Sequence, residues 1–147
     1  MSHPILVDIG ETASFTKTVA ESDIYGFAGI TGDFAWPHTN EAFMKTSRYG
    51  QRVAHGALLV GFMSTASAQL AMKMMQSIDG LTAMSVGYDR IRFTGPVLIG
   101  DTITVDYKVA ELVPEKARTI ADLTATNQRG ETVGVGRHIM AWLRDDA

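Results

Sequence analysis

The 147-residue sequence contains no cysteine, which excludes disulfide scaffolds, thiolate nucleophiles and cysteine-ligated metal sites. An absence of cysteine is typical of a reducing compartment, and we expect a cytoplasmic protein. No signal peptide is predicted, because residues 1–8 lack a basic start followed by an apolar run. The most apolar stretch, residues 57–63, is far shorter than the roughly 20 residues that cross a bilayer, so we predict no membrane span.

Positive charge is not in excess either. The 13 Lys and Arg residues are outnumbered by 16 Asp and Glu, which gives a formal net charge of −3. No basic patch for a phosphate backbone or an anionic lipid is expected, so neither nucleic acid nor a membrane is a predicted partner. The four prolines and 14 glycines form no repeat or linker. Length and composition predict one domain that spans residues 1–147.

Apolar periodicity divides the chain into a helical part and a strand-rich part. Residues 56–76 carry Leu, Phe, Met and Ala on every face, which is typical of a helix surrounded by protein. Residues 102–109 alternate apolar and polar side chains, as a strand with one buried face does. This pattern predicts an α+β fold in which an antiparallel sheet wraps around one long helix. We predict further strands at 13–19, 118–126 and 131–143, short helices from Ser22-Asp23 toward Ile30 and from Thr39 to Gly50, and a loop from Thr31 to His38.

Four histidines are prominent candidates for acid and base chemistry, because the chain has no thiol. His3 lies near the terminus and His138 lies within an alternating strand, so we interpret both as structural. His38 and His55 lie in the irregular segments that flank the long helix in sequence, and such segments commonly carry functional groups. These two are therefore the candidate functional histidines.

Asp33 and His38 lie five residues apart in the predicted loop, which Pro37 restrains. At this spacing a carboxylate and an imidazole can both face one water or substrate and move protons near neutral pH. The spacing also fits a structural role, in which Asp33 caps the turn and His38 caps the next helix. Spacing alone leaves both interpretations open.

Gly56 begins the long helix directly after His55. Amide groups at a helix N-terminus are unpaired and lie at the positive end of the helix dipole, so they favour negative charge on a bound ligand. Glycine at this position also allows close packing of the helix, which is an equally good explanation. Ser64 follows eight residues later and can face the same side of the helix. It can equally donate to the backbone of its own helix.

Several common sites are missing from the sequence. There is no phosphate-binding loop, no dinucleotide fingerprint and no nucleophile elbow, so no nucleotide or nicotinamide cofactor is predicted. Met63, Met72, Met74 and Met75 have no histidine or carboxylate among them, which favours core packing and pocket lining over metal binding. We predict no metal site.

Three blocks of sequence follow one another in a distinctive order. They are residues 30–38 (ITGDFAWPH), residues 53–59 (VAHGALL) and residues 88–103, which contain RFTGPV and GDTI. Together they resemble the MaoC-like dehydratases, a family that includes the (R)-specific enoyl-CoA hydratases of hotdog fold. The first block resembles the family's loop G-D-x-N-P-x-H. The second resembles the start of its central helix, and the third resembles the strand, bend and strand that follow.

The resemblance implies a hotdog fold, with the sheet wrapped around the helix that begins at Gly56, and at least a homodimer with the site at the subunit interface. It implies that Asp33 and His38 are the catalytic pair. The Gly56 amide would contribute to an oxyanion hole, with His55 and Ser64 as further substrate-binding residues. The implied reaction is reversible hydration of a trans-2-enoyl thioester to an (R)-3-hydroxyacyl thioester. The thioester carrier would be coenzyme A or an acyl carrier protein, so coenzyme A enters as part of the substrate and no separate cofactor is expected.

The chain departs from the family pattern within the first block. Ala35 stands where the family usually has Asn and Trp36 where it usually has Pro, while the spacing of Asp33 and His38 is kept. Trp36 is expected to narrow the pocket or to line it for a different acyl group. The altered loop supports a second hypothesis, a non-catalytic acyl-thioester-binding subunit that pairs with an active partner. A hotdog thioesterase is a third and less favoured hypothesis, because one large thioesterase group carries its carboxylate on the central helix, where this chain has none.

Overall fold

Five antiparallel strands form one sheet in the computed structural model, which describes residue 5 and residues 7–145. The strands are β1 (Thr12–Thr18), β2 (Leu81–Phe93), β3 (Thr102–Val113), β4 (Arg118–Thr126) and β5 (Thr132–Arg144). Their order across the sheet is β1-β3-β4-β5-β2, so β1 and β2 are its edges.

Helices precede and flank the long strands. They are α1 (Glu21–Thr31), α2 (Trp36–Thr39), α3 (Glu41–Lys45) and α4 (Gly56–Ser77), and a 3-10 turn at Pro114–Lys116 joins β3 to β4. In the part of the chain that the structure describes, none of the helices has the length and apolar character of a membrane span.

The long helix α4 packs one face against the sheet. Leu59, Met63, Ala66 and Leu70 recur at helical spacing on this face and are buried. The buried side chains of β3 are those that the alternation predicted: Ile103, Val105, Tyr107 and Val109. The predicted hotdog architecture, an antiparallel sheet wrapped around one long helix, is therefore confirmed.

The opposite face of α4 is exposed in this chain. Gly61, Ser64, Ala68 and Met72 form a stripe along it, and the Met72 side chain is half exposed. The prediction that α4 is surrounded by protein on all sides is thus wrong for the single chain, because one five-stranded sheet covers only one side of the helix.

The ends of two short helices differ from the predictions. Helix α1 begins at Glu21, one residue before the predicted start at Ser22-Asp23. The Asp23 carboxylate accepts a hydrogen bond from the Ala20 amide at 2.8 Å, so Asp23 caps the helix from within its first turn. Helix α3 ends at Lys45 and the chain continues in turns to Gly50. Gly50, the predicted end of this helix, lies in that turn and adopts a left-handed conformation with φ of +68°.

His138 lies in the interior of the fold, as predicted for a structural histidine. Its side chain is fully buried, with Nδ1 3.2 Å from the Tyr107 hydroxyl and Nε2 2.8 Å from Ser85 Oγ. Burial lowers the pKa of His138 to about 4, so the imidazole is neutral in the folded protein at neutral pH. His3, the other histidine interpreted as structural, lies outside the described residues.

Acid should destabilise the fold through His138. In the unfolded chain this imidazole has its ordinary pKa of 6.5, so below that pH the unfolded state binds a proton that the folded state excludes. The free energy of unfolding should fall by about 2 to 3 kcal/mol between pH 7 and pH 4.5 from this group, at about 1.4 kcal/mol per pH unit. Urea unfolding of the wild type and of His138→Gln at both pH values measures this contribution. An equal loss of stability in the two proteins would contradict it.

Candidate active site

His38 lies in the one-turn helix α2, where the sequence predicted a loop. Pro37 is tolerated there because the first amides of a helix have no acceptor within it. The His38 Nδ1 donates to the Val53 carbonyl at 2.8 Å, and the Val53 amide donates to the Pro37 carbonyl at 2.9 Å. Since a carbonyl only accepts, Nδ1 carries the proton and Nε2 is left to interact with a ligand.

Asp33 follows directly on the end of α1, which Gly32 closes with φ of +82°. Its Oδ1 accepts a hydrogen bond from the Ala35 amide at 3.2 Å, so Asp33 does shape the turn as the structural interpretation proposed. His38 does not cap the following helix, because the Asn40 side chain does so. The second carboxylate oxygen of Asp33 has no hydrogen-bond partner among the described residues, and the side chain is exposed. The structural role therefore leaves one oxygen available to a ligand.

His55 connects these two residues. Its Nε2 donates to the backbone carbonyl of Asp33 at 2.9 Å, and its ring stacks on His38 with centroids 3.8 Å apart. The Phe27 ring lies 4.7 Å away. The His55 side chain is 3% exposed, and its Nδ1 is buried without a hydrogen-bond partner in the described part of the chain. Because Nε2 carries the proton, Nδ1 can only accept, so a molecule that pairs with it must donate a hydrogen bond.

Asp33, His38 and His55 form one compact cluster, in which a ligand atom of each lies within 4.8 Å of the others. The sequence predicted that Asp33 and His38 can face one ligand, but nothing in it indicated the ring contact between His38 and His55. Such a set of donors can in principle hold a metal ion. The two ring planes are only 26° from parallel, however, and their centroids are 3.8 Å apart, so lone pairs that lie in these planes do not converge on one ion at bonding distance. This geometry suits a water or substrate better, and the absence of a metal site stays a prediction.

Gly56 is the first residue of α4 and lies against the ring of Phe93. A side chain here would place its Cβ 2.5 Å from that ring, so any other residue would force the Phe93 ring to move. His55 is the N-cap residue but its side chain makes no cap hydrogen bond. The Leu58 amide donates to the His55 carbonyl at 3.1 Å, whereas the Gly56 amide has no acceptor among the described residues. The packing role and the ligand-binding role predicted for Gly56 are compatible.

A cavity of about 430 Å³ opens beside the start of α4. His55, Leu59 and Val97 are buried and line its deep part, whereas Arg48 and Tyr49 are exposed and line its mouth. The volume is within the range of small-molecule pockets.

Of the predicted site residues, His55 and Gly56 line this cavity, whereas Asp33, His38, Ser64 and Trp36 do not. Ser64 lines a separate recess of about 170 Å³ that α4 forms with residues of β2 and β5. The Trp36 side chain is 61% exposed and packs on Phe43, with ring centroids 5.3 Å apart. The roles predicted for Ser64 and Trp36 would require a pocket completed by a second subunit, and they stay predictions.

Arg52 holds the segment before α4 in place, a role that sequence reasoning missed. Its guanidinium donates to the Glu41 carboxylate at 2.7 Å, to the Tyr25 hydroxyl at 3.1 Å and to the Glu21 carboxylate. These bonds connect α1 and α3 to Arg52, which directly precedes Val53 in the chain. The hydrogen bonds to Glu21 and Glu41 raise the pKa of Arg52 above its usual value, so the cation persists at any working pH. No local pattern could reveal this contact, because its partners are distant in sequence.

Asp101 fixes the turn between β2 and β3 that forms one wall of the cavity. Its buried carboxylate accepts hydrogen bonds from the Leu98 backbone amide at 2.9 Å, the Gln128 side-chain amide at 2.8 Å and the Arg129 guanidinium at 3.1 Å. Burial acts to raise the pKa of Asp101, but these hydrogen bonds outweigh burial and lower it. The carboxylate therefore stays charged at neutral pH and holds the turn that carries Val97.

Comparison with known proteins identifies related chains. The family model described as "MaoC like domain" matches residues 7–131. An (R)-specific enoyl-CoA hydratase of Rhodospirillum rubrum is 40% identical over 107 residues, which are 73% of this chain and 69% of that protein. A 3-hydroxybutyryl-CoA dehydratase of Methylorubrum extorquens is 34% identical over 127 residues, which are 86% of this chain and 74% of that protein. The unliganded structure of an R-hydratase of Pseudomonas aeruginosa has a TM-score of 0.80 at 29% identity and covers 95% of this chain and 84% of that chain.

Proposed function

Because this chain belongs to the MaoC-like family, we propose that it is a hydro-lyase that adds water reversibly to a trans-2-enoyl thioester and forms the (R)-3-hydroxyacyl thioester. The Rhodospirillum rubrum relative is named as an (R)-specific hydratase and the Methylorubrum extorquens relative as a dehydratase, which is the same reaction in the opposite direction. In this chain, the observation that carries the proposal is the cluster in which Asp33 keeps a free carboxylate oxygen and His38 keeps a free Nε2.

The Asp33 and His38 side chains can together perform the two proton transfers of the reaction. In hydration, water attacks C3 of the enoyl group and loses a proton, while C2 gains a proton. The free oxygen of Asp33 and the Nε2 of His38 are positioned to accept a proton from the water and to return a proton to C2. Because the two groups belong to one compact cluster, we infer that the hydroxyl and the proton add to the same face of the double bond.

The start of α4 is the proposed site for the negative charge that develops on the thioester oxygen. Addition to C3 makes this oxygen enolate-like, and preorganised amide donors stabilise such charge. The Gly56 amide belongs to the first turn of α4 and lines the cavity beside His55. Since glycine has no side chain to shield the amide, the substrate oxygen can approach it closely.

Coenzyme A is the proposed carrier of the acyl group. Both named relatives act on coenzyme A thioesters, according to their names. The reaction transfers only water and protons, so it requires no redox or group-transfer cofactor. Coenzyme A therefore participates as part of the substrate.

A homodimer formed through the edge strand β2 is the proposed active assembly. Strand β2 has 13 residues and pairs within the described chain only with β5, so the backbone groups on its outer side are unpaired there. Met84 and Val86 on this strand are about half exposed, as are Phe34 and Trp36 close to Asp33. A second copy of the chain would pair the strand edge and bury apolar surface.

The proposed assembly has at least twice the 15.9 kDa mass of one chain. Analytical ultracentrifugation should report this mass, and Val86→Asp should shift the protein toward the monomer because it places two like charges close to the shared edge. Ile9→Asp is the matched control, since Ile9 is also exposed but precedes β1 at the other edge of the sheet. A wild-type monomer with full activity would refute the assembly.

Replacing either member of the proposed catalytic pair should abolish most of the activity. Asp33→Asn and His38→Gln should each lower kcat by at least about 100-fold, because each removes a group that transfers a proton. The loss of absorbance at the enoyl-thioester band measures hydration, and thermal unfolding checks that the variants fold. Asp79→Asn, at an exposed carboxylate in the turn after α4, is the control and should retain full activity.

Two results would contradict this function. Full activity in both Asp33→Asn and His38→Gln would exclude the pair as the proton-transfer groups. A wild-type protein that binds enoyl thioesters but hydrates none would instead favour the non-catalytic binding subunit.

A further inference from the structure

The cavity beside α4 changes in character from its deep part to its mouth. In the deep part, the buried residues His55, Leu59 and Val97 line the cavity, and Leu59 and Val97 supply apolar walls. At the mouth the lining side chains are the exposed Arg48 and Tyr49. A ligand that fits would therefore carry an uncharged part at its inner end and a negative charge at its outer end.

Arg48 differs from the nearby Arg52 in how its charge is balanced. Arg52 pairs with the carboxylates of Glu21 and Glu41. Within residues 5 and 7–145, no carboxylate lies at ion-pair distance from Arg48, and its guanidinium carbon lies 5.8 Å from the centre of the Tyr49 ring. Stacking on an aromatic ring leaves the N–H groups of a guanidinium free to bind an anion. The mouth of the cavity thus carries one positive charge that no carboxylate of the described residues neutralises.

We propose that Arg48 binds a phosphate group of the substrate's carrier arm at the mouth of this cavity, so that Arg48 is a specificity-determining residue for phosphopantetheine thioesters. The inference rests on the proposed function, which places the thioester at Gly56 and His55. A phosphopantetheine arm has the required order of groups, with a thioester at one end, a chain of two amides in the middle and a phosphate at the other end. Arginine suits phosphate because its planar fork of donors pairs with two oxygens at once.

The test combines a variant of Arg48 with a truncated substrate. Crotonyl-CoA and crotonyl-pantetheine carry the same acyl group, but only the first has phosphate. Arg48→Gln should lower kcat/KM for crotonyl-CoA about tenfold, mainly through KM, and should leave crotonyl-pantetheine unchanged within about twofold. Arg48→Lys keeps the charge and should recover part of the loss. Added salt should raise KM for crotonyl-CoA more in the wild type than in Arg48→Gln.

Lys116→Gln is the matched control, because Lys116 is an exposed cation in the 3-10 turn between β3 and β4, away from the cavity lining. It removes the same charge and should leave both substrates unaffected. An equal loss on crotonyl-CoA and crotonyl-pantetheine in Arg48→Gln would overturn the proposal, since it would mean that Arg48 acts on structure and not on phosphate. No loss on either substrate would overturn it as well.

Two further measurements show which phosphate Arg48 binds and whether a negative result contradicts the Arg48 contact or the proposed function. Of the phosphates of coenzyme A, crotonyl-acyl carrier protein has only the one next to pantetheine. A loss of kcat/KM on both carriers in Arg48→Gln assigns that phosphate as the contact, and a loss on crotonyl-CoA alone assigns the phosphates of the nucleotide.

Calorimetry with free coenzyme A tests Arg48 even if the wild type hydrates no thioester. In that case weaker binding by Arg48→Gln would support the phosphate contact while the proposed function fails, and unchanged binding would overturn the contact too.

Discussion

The hydrogen bond from His38 to the Val53 carbonyl is the contact on which the candidate site depends. It sets which imidazole nitrogen carries the proton, and the return bond from the Val53 amide to Pro37 fixes the short helix α2 beside the same segment. That segment leads directly into α4. His38 and the amides at the start of α4 are therefore held at a fixed separation. A reaction that uses both groups on one substrate requires such a fixed geometry.

Charged groups outside the cluster hold this arrangement from two sides. Arg52 ties α1 and α3 to the residue beside Val53, and Asp101 anchors the turn that forms the cavity wall. Both groups keep their charge at neutral pH, because hydrogen bonds raise the pKa of Arg52 and lower the pKa of Asp101. Arg48 is the contrasting case, because its charge has no acidic partner in the described chain. An unneutralised charge at a cavity mouth is better explained by a ligand than by the stability of the fold.

The parts of the structure that repeat along the chain could be predicted from the sequence, and the parts that join distant segments could not. Alternation placed the buried residues of β3 correctly, and the apolar composition of residues 56–76 identified α4. The same composition wrongly predicted protein on all sides of α4, since composition does not show how far a sheet extends around a helix. The segment around Pro37 was wrongly predicted to be a loop, because the first turn of a helix tolerates proline, as α2 shows. The contacts of His38 with Val53 and of His55 with Asp33 cross long stretches of chain, and no spacing rule covers them.

The central claim is that Asp33 and His38 act as one unit on one side of the substrate, and the stereochemistry of the reaction tests it most directly. Hydration of trans-2-butenoyl-CoA in deuterium oxide leaves a deuterium at C2 and a hydroxyl at C3, whose relative configuration proton NMR coupling constants report. The account predicts that deuterium and hydroxyl are added to the same face of the double bond. Addition to opposite faces, or a mixture of configurations at C2, would contradict a single Asp33–His38 cluster as the source of both transfers.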